Sequence, residues 1–104
     1  MALCTLTLFT TQATAAGKHK FTLVIDAGHG GKDAGACANK AMEKNINLSV
    51  ALAFGKLVEQ NCPDVKVIYT RKTDVFIPLH QRANIANKNK ADLFLSPRRW
   101  CVLI

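Results

Sequence analysis

One histidine in this chain lies in a turn built for close approach. From Leu23 an apolar run reaches the carboxylate of Asp26, and Gly28-His29-Gly30-Gly31 follows after Ala27. A strand supplies stiffness, and glycine lets the backbone bend sharply and pass close to a ligand. The imidazole between the glycines is the side chain most often used to bind metals and move protons. Fourteen residues later stands Glu43, at the start of an amphipathic segment. The loop between them is long enough to turn back, so a ring nitrogen and a carboxylate can face one point. A catalytic zinc takes three protein ligands of the His, Asp or Glu type plus a water, and amide hydrolysis also needs a base beside that water. A plainer reading also fits: a tight turn with an exposed histidine, and a glutamate favoured in a first helical turn by the helix dipole. Spacing alone leaves both open. A phosphate cradle fits less well, because the glycines match neither G-x-G-x-x-G nor the P-loop and lie far from the helix start.

Other candidates lie further along. Arg71 and Asp74 flank a polar loop. Either they pair with each other or shape that loop, or Arg71 contacts a substrate. Arg82 falls on a helical pattern, where its long side chain snorkels to solvent. His80, near the same edge, is a conceivable substitute ligand, and His19 is expected to be exposed. Of the four cysteines, Cys4 lies in the N-terminal segment that reads as a leader. The remaining Cys37, Cys62 and Cys101 are odd in number and lack C-x-x-C spacing, so they define neither a disulfide framework nor a thiolate zinc site. Cys37 follows the His29 loop without an evident activating partner.

The elements that must position these groups read β-α-β-α-β. Phe21 to Ile25 is a near-continuous apolar strand, as expected of one covered on both faces. Residues 27–42 read as a loop, and Glu43 to Gln60 as a helix whose inner stripe is Ile46, Val50, Ala53 and Leu57. Pro63 ends that helix. Val65 to Thr70 is a second strand. Pro78 opens a second helix with Leu79, Ala83 and Ala86 inward, and Asp92 to Ser96 is a third strand. The pattern predicts an α/β fold, a mostly parallel sheet with flanking helices. Ligands of such sheets bind at the carboxyl ends of the strands. The His29 loop, Arg71 to Asp74 and the residues after Ser96 therefore converge. If successive strands are neighbours, both helices lie on one sheet face and leave the other bare. That predicts an incomplete domain, or a partner covering the face.

At 104 residues the chain is one domain at most. Residues 1–16 carry no charge and place a short apolar run before Ala13-Thr14-Ala15-Ala16. They read as a signal peptide, without its usual basic start, and predict export to the periplasm, cell wall or exterior. No stretch is long enough for a transmembrane helix. The net charge of +7 lies after that segment. It suits an anionic partner or simply a solvated surface. The scattered lysines lack the aromatic interleaving of single-strand binders, so no nucleic acid is expected.

The stretch from Val24 to Ala36 resembles the opening motif of the zinc-dependent N-acetylmuramoyl-L-alanine amidases of the Amidase_3 type, with Ala27 where that motif usually has proline. Glu43 to Leu48 resembles the second motif, and Tyr69 to Asp74 the Thr-Arg-x-x-Asp segment. Leu79, Arg82 and Ala86-Asn87 resemble its L-x-x-R-x-x-x-A-N helix, and Ala91 to Ser96 the strand before its third motif. The resemblance implies Zn2+ held by His29 and Glu43, with peptidoglycan as substrate, cleaved between N-acetylmuramic acid and L-alanine. It implies that residues 17–96 are the N-terminal part of such a catalytic domain. Its third ligand is a histidine in a Ser-x-His-x-Asn motif, but this chain reads Ser96-Pro97-Arg98-Arg99. Residues 97–104 are then an aberrant tail, as a frameshift or truncation would produce, and the family's catalytic glutamate has no counterpart. The expectation is an amidase by family that is inactive as this chain. Two alternatives are a catalytically dead wall-binding module and a non-metal α/β interaction fragment. An activating partner is not identifiable.

Overall fold

The computed structural model describes residues 20–98. The expected leader and most of the tail, with His19 and Cys101, lie outside them. The element order is β1 (Phe21–Ile25), β2 (Cys37–Ala38), β3 (Ala41–Met42), α1 (Glu43–Asn61), β4 (Val65–Tyr69), α2 (Leu79–Lys88) and β5 (Leu93–Leu95). The predicted β-α-β-α-β plan is present. The addition is a short β2–β3 hairpin inside the expected loop, turned by Asn39 and Lys40 with φ of 48° and 65°. Positive φ at both turn residues matches the twist of the strands they join.

β1, β4 and β5 form a parallel sheet in the order β4-β1-β5. β1 is therefore central, and this corrects the expectation of a one-sided fold. The crossover through α1 leads to one side of β1, and the crossover through α2 leads back across it. Right-handed connections running in opposite directions put their helices on opposite faces. Side chains follow this division. Leu23, Ile25 and Ala27 pack with Ala51 of α1, while Asp26, two residues on from the fully buried Val24, meets Arg82 of α2. The second face carries α2, with a cleft of about 340 Å³ between that helix and Phe94 of β5.

The helix stripes also differ from the periodicity reading. α1 buries Asn47, Ala51 and Gly55. Ile46, Val50 and Leu57, expected inward, are exposed together with Phe54. Small residues bring the helix axis close to the sheet. Asn47 repays its burial by donating Nδ2–H to the Gly28 carbonyl at 3.2 Å. α2 buries Arg82 and Ala86, whereas Leu79 and Ala83 are exposed. In both helices the inward face was chosen by fit and hydrogen bonding to the β1 exit rather than by apolar size.

Strand register carries the site. Ile25 stands opposite Tyr69 on one side and Leu95 on the other. The next residues, Asp26, Thr70 and Ser96, therefore lie side by side at the carboxyl edge. Three steps beyond the Ile25–Leu95 pair the same register brings Arg98 beside Gly28, and a Cβ added to Gly28 would stand 3.3 Å from Arg98 Cγ.

Candidate metal centre

Below the His29 turn lies a buried ionic knot. Asp26 is 1% exposed; its Oδ1 accepts from Arg82 Nη1 at 2.7 Å and from Thr70 Oγ1 at 2.8 Å, and its Oδ2 accepts from Ser96 Oγ at 2.8 Å. Burial pushes the Asp26 carboxyl upward, but the hydrogen bonds from Arg82, Thr70 and Ser96 outweigh it and hold the pKa below the ordinary 3.8. A carboxylate with a depressed folded pKa contributes stability that is complete above its unfolded value. That stability is lost as pH falls through the folded one. Acid unfolding followed by circular dichroism is thus expected to steepen below about pH 4. Asp26→Asn is expected to be less stable at neutral pH and to lose part of that acid response.

Two buried arginines grip the turn from opposite faces. Arg82 donates to the carbonyls of Ala27 and His29, each at 2.7 Å, and to Ile77. Arg71, from the α1 side, donates to the carbonyls of Ala27, Gly28, Thr73 and Lys44 at 2.9–3.0 Å. Both are 3% exposed. This corrects one expectation: Arg82 does not snorkel, because its head is the buried partner of Asp26. Arg71 donates four of its N–H groups to carbonyls, which fits the loop-shaping one of its two readings. Burial, with the Arg82 charge, draws the Arg71 pKa below the usual guanidinium value. Nor does Arg71 pair with Asp74. Asp74 instead accepts from Lys44 Nζ at 2.8 Å and from the Gly31 amide at 2.7 Å.

Held this way, His29 sits at φ 64°, a region an L-residue enters at a cost of about 1–3 kcal/mol when its surroundings impose it. Gly30 follows at φ 126°, where a Cβ would overlap the Val75 carbonyl. The strained turn aims the ring. Nδ1 meets Asp33 Oδ2 at 2.8 Å, and Nε2 faces Glu43 Oε1 at 3.3 Å. Glu43 Oε2 accepts from the Ala36 amide at 2.9 Å, so this carboxylate is braced from behind. The His29 bond holds the Asp33 carboxyl below its ordinary pKa. Gly35, at φ 67°, lies between ring and carboxylate; a Cβ there would stand 2.8 Å from His29 Cδ2 and 2.9 Å from Glu43 Cβ. Gly35→Ala is therefore expected to separate His29 from Glu43, and a thermal melt should show a loss of about 1–3 kcal/mol from strain and overpacking.

The structure brings His29 and Glu43 together, as their use as a pair requires. It leaves His80 exposed and Cys37 in a different cleft, one of about 550 Å³ that also touches Glu43. Arg98 shares a cleft of about 330 Å³ with His29, Asp33 and Arg82. Among the described residues no three His, Cys, Asp or Glu side chains are grouped to hold one ion. Asp33 and Glu43 flank opposite nitrogens of one ring, which is why that trio does not converge. Sequence reading missed Asp33; its signal was the i, i+4 spacing from His29 across a glycine turn.

Comparison with known proteins bears on what this arrangement is. The sequence profile of Amidase_3, described as N-acetylmuramoyl-L-alanine amidase, matches residues 23–96. The chain belongs to the Amidase_3 family. It is 43% identical over 74 residues to the N-acetylmuramoyl-L-alanine amidase CwlM of Bacillus licheniformis, covering 71% of this chain and 29% of that protein. It is 40% identical over 87 residues to the amidase AmiC of Escherichia coli, covering 82% of this chain and 21% of that protein. The catalytic domain of CwlV from Paenibacillus polymyxa superposes with a TM-score of 0.71 at 44% identity, over 73% of this chain and 43% of that domain. This Amidase_3 chain thus spans less than half of each of these relatives. Among its described residues no helix is long and apolar enough to cross a membrane.

Proposed function

We propose that this Amidase_3 chain carries part of a zinc-dependent centre for hydrolysing the N-acetylmuramoyl–L-alanine amide of peptidoglycan. We also propose that these 104 residues alone bind zinc weakly and do not turn over. The observation that carries the reading is the approach of His29 Nε2 to Glu43 Oε1 at 3.3 Å, with each side chain braced from behind. An imidazole nitrogen and a carboxylate oxygen are donors that zinc accepts, so the pair fits two corners of such a site. Among the described residues none supplies the third corner on this reading: Arg98, a cation, lines the cleft from the strand end where the resemblance implies a histidine.

When bound, zinc would polarise the scissile carbonyl and lower the pKa of an attacking water. The chain's own residues supply positioning. Arg71 and Arg82 fix the turn, Asp33 and the Ala36 amide fix the two donor side chains, and the cleft beside His29 receives the amide. Asp33 is engaged with His29, so no described carboxylate beside the pair is left to act as base. The uncharged N-terminal run followed by small residues supports export to the wall, where this substrate lies.

The test is digestion of purified peptidoglycan by this chain. The expected result is no release of stem peptides. Release that stops on chelation would overturn the inactivity. Arg98 also favours a second reading, a wall-binding module without catalysis, and this predicts that the chain sediments with peptidoglycan without cutting it.

A further inference from the structure

We infer that Asp33 is a positioning residue that sets the tautomer and orientation of His29, so that the Nε2 lone pair faces Glu43. The inference deepens the zinc reading and rests on it for its functional meaning. Both oxygens of Asp33 are in use. Oδ2 meets His29 Nδ1 at 2.8 Å, and Oδ1 accepts the Gly35 amide at 3.2 Å. Its backbone is pinned as well: Gly30 and Asp33 exchange N–H···O bonds at 2.8 and 3.0 Å. Backbone and side-chain bonds together thus hold the carboxylate against the ring, although its side chain is 46% exposed. An ionised carboxylate only accepts hydrogen bonds. In the neutral ring it therefore holds the proton on Nδ1 and leaves Nε2 as the acceptor. Which nitrogen of an imidazole can ligate is set by the bond the other makes. The Asp33 contact, at 2.8 Å, is the shorter of the two carboxylate contacts of the ring. With the proton on Nδ1, Nε2 and the Glu43 oxygen 3.3 Å away are two acceptors, an arrangement that suits a cation between or beside them.

Asparagine would break this logic at nearly constant shape. It has one acceptor oxygen where Asp33 uses two. If that oxygen keeps the Gly35 amide, the NH₂ group faces Nδ1, Nδ1 must accept, and the ring proton moves to Nε2.

The experiment reads the ring directly in the metal-free chain at alkaline pH. Long-range proton–nitrogen correlation spectra are expected to show His29 protonated on Nδ1, and in Asp33→Asn a shift of the proton towards Nε2. Zinc titration by chelator competition is expected to show about 10–100-fold weaker binding in Asp33→Asn. A merely structural Asp33 would lower the melting point and leave both readouts alone. A native ring protonated on Nε2 overturns the inference, as does Asp33→Asn with native zinc affinity. If Asp33→Asn does not fold, the tautomer of the native ring still decides. If the native ring carries its proton on Nδ1 but no zinc binds, the role of Asp33 stands and the zinc reading fails.

Discussion

Arg82→Ala is expected to destabilise the fold by about 3–5 kcal/mol, because it strands a buried carboxylate without its counter-charge. Asp26 would keep the Thr70 and Ser96 hydroxyls but lose the guanidinium 2.7 Å away, at 1% exposure. The carbonyls of Ile77, Ala27 and His29 would lose their donor in the same step. A domain typically has about 5–15 kcal/mol of net stability, so a small one is left marginal or unfolded. Lysine should not rescue it, since three donors on a point charge cannot span a carboxylate and three carbonyls as a planar fork does. Urea unfolding followed by circular dichroism measures this. A loss under about 1 kcal/mol, the range of exposed ion pairs, would contradict the buried knot.

The second large effect is a gain. Arg98→His should tighten zinc binding roughly a hundredfold. Structural zinc sites with four ligands bind with about 10–16 kcal/mol, or about 2.5–4 kcal/mol per ligand. Each 1.4 kcal/mol is a factor of ten. The register that seats residue 98 beside Gly28 puts it at the lip of the His29 cleft. The substitution removes a cation from that lip and offers a nitrogen there. Competition with a chromophoric chelator reads the change. Equal affinities in the two chains would show that residue 98 does not face the metal position.

Much of this was legible in the sequence, for identifiable reasons. The continuous apolar run of β1, the Pro63 stop and the Pro78 start punctuate the chain, and element type followed from them. His29 and Glu43 stood out because ligand-type residues occupied a glycine turn and a helix start. Strand order was not legible. Nothing in the spacing says that β5 pairs with β1 rather than β4, and that single pairing moves α2 to the opposite face. The helix stripes misled for a related reason. Periodicity weighs apolar size, but α1 docks through Asn47, Ala51 and Gly55, leaving Ile46 and Leu57 outside. Arg71 and Arg82 carry no sequence mark of burial. Their place follows from the unpaired carbonyls of the turn between Ala27 and His29, which need donors once buried.

The central claim is that His29 and Glu43 are two corners of one zinc site. Zinc titration of the metal-free chain, beside His29→Ala, tests it most directly. The account predicts one weakly bound zinc per native chain and none in His29→Ala at the same concentrations. Equal uptake by the two chains, or no uptake by either the native chain or Arg98→His, would contradict it.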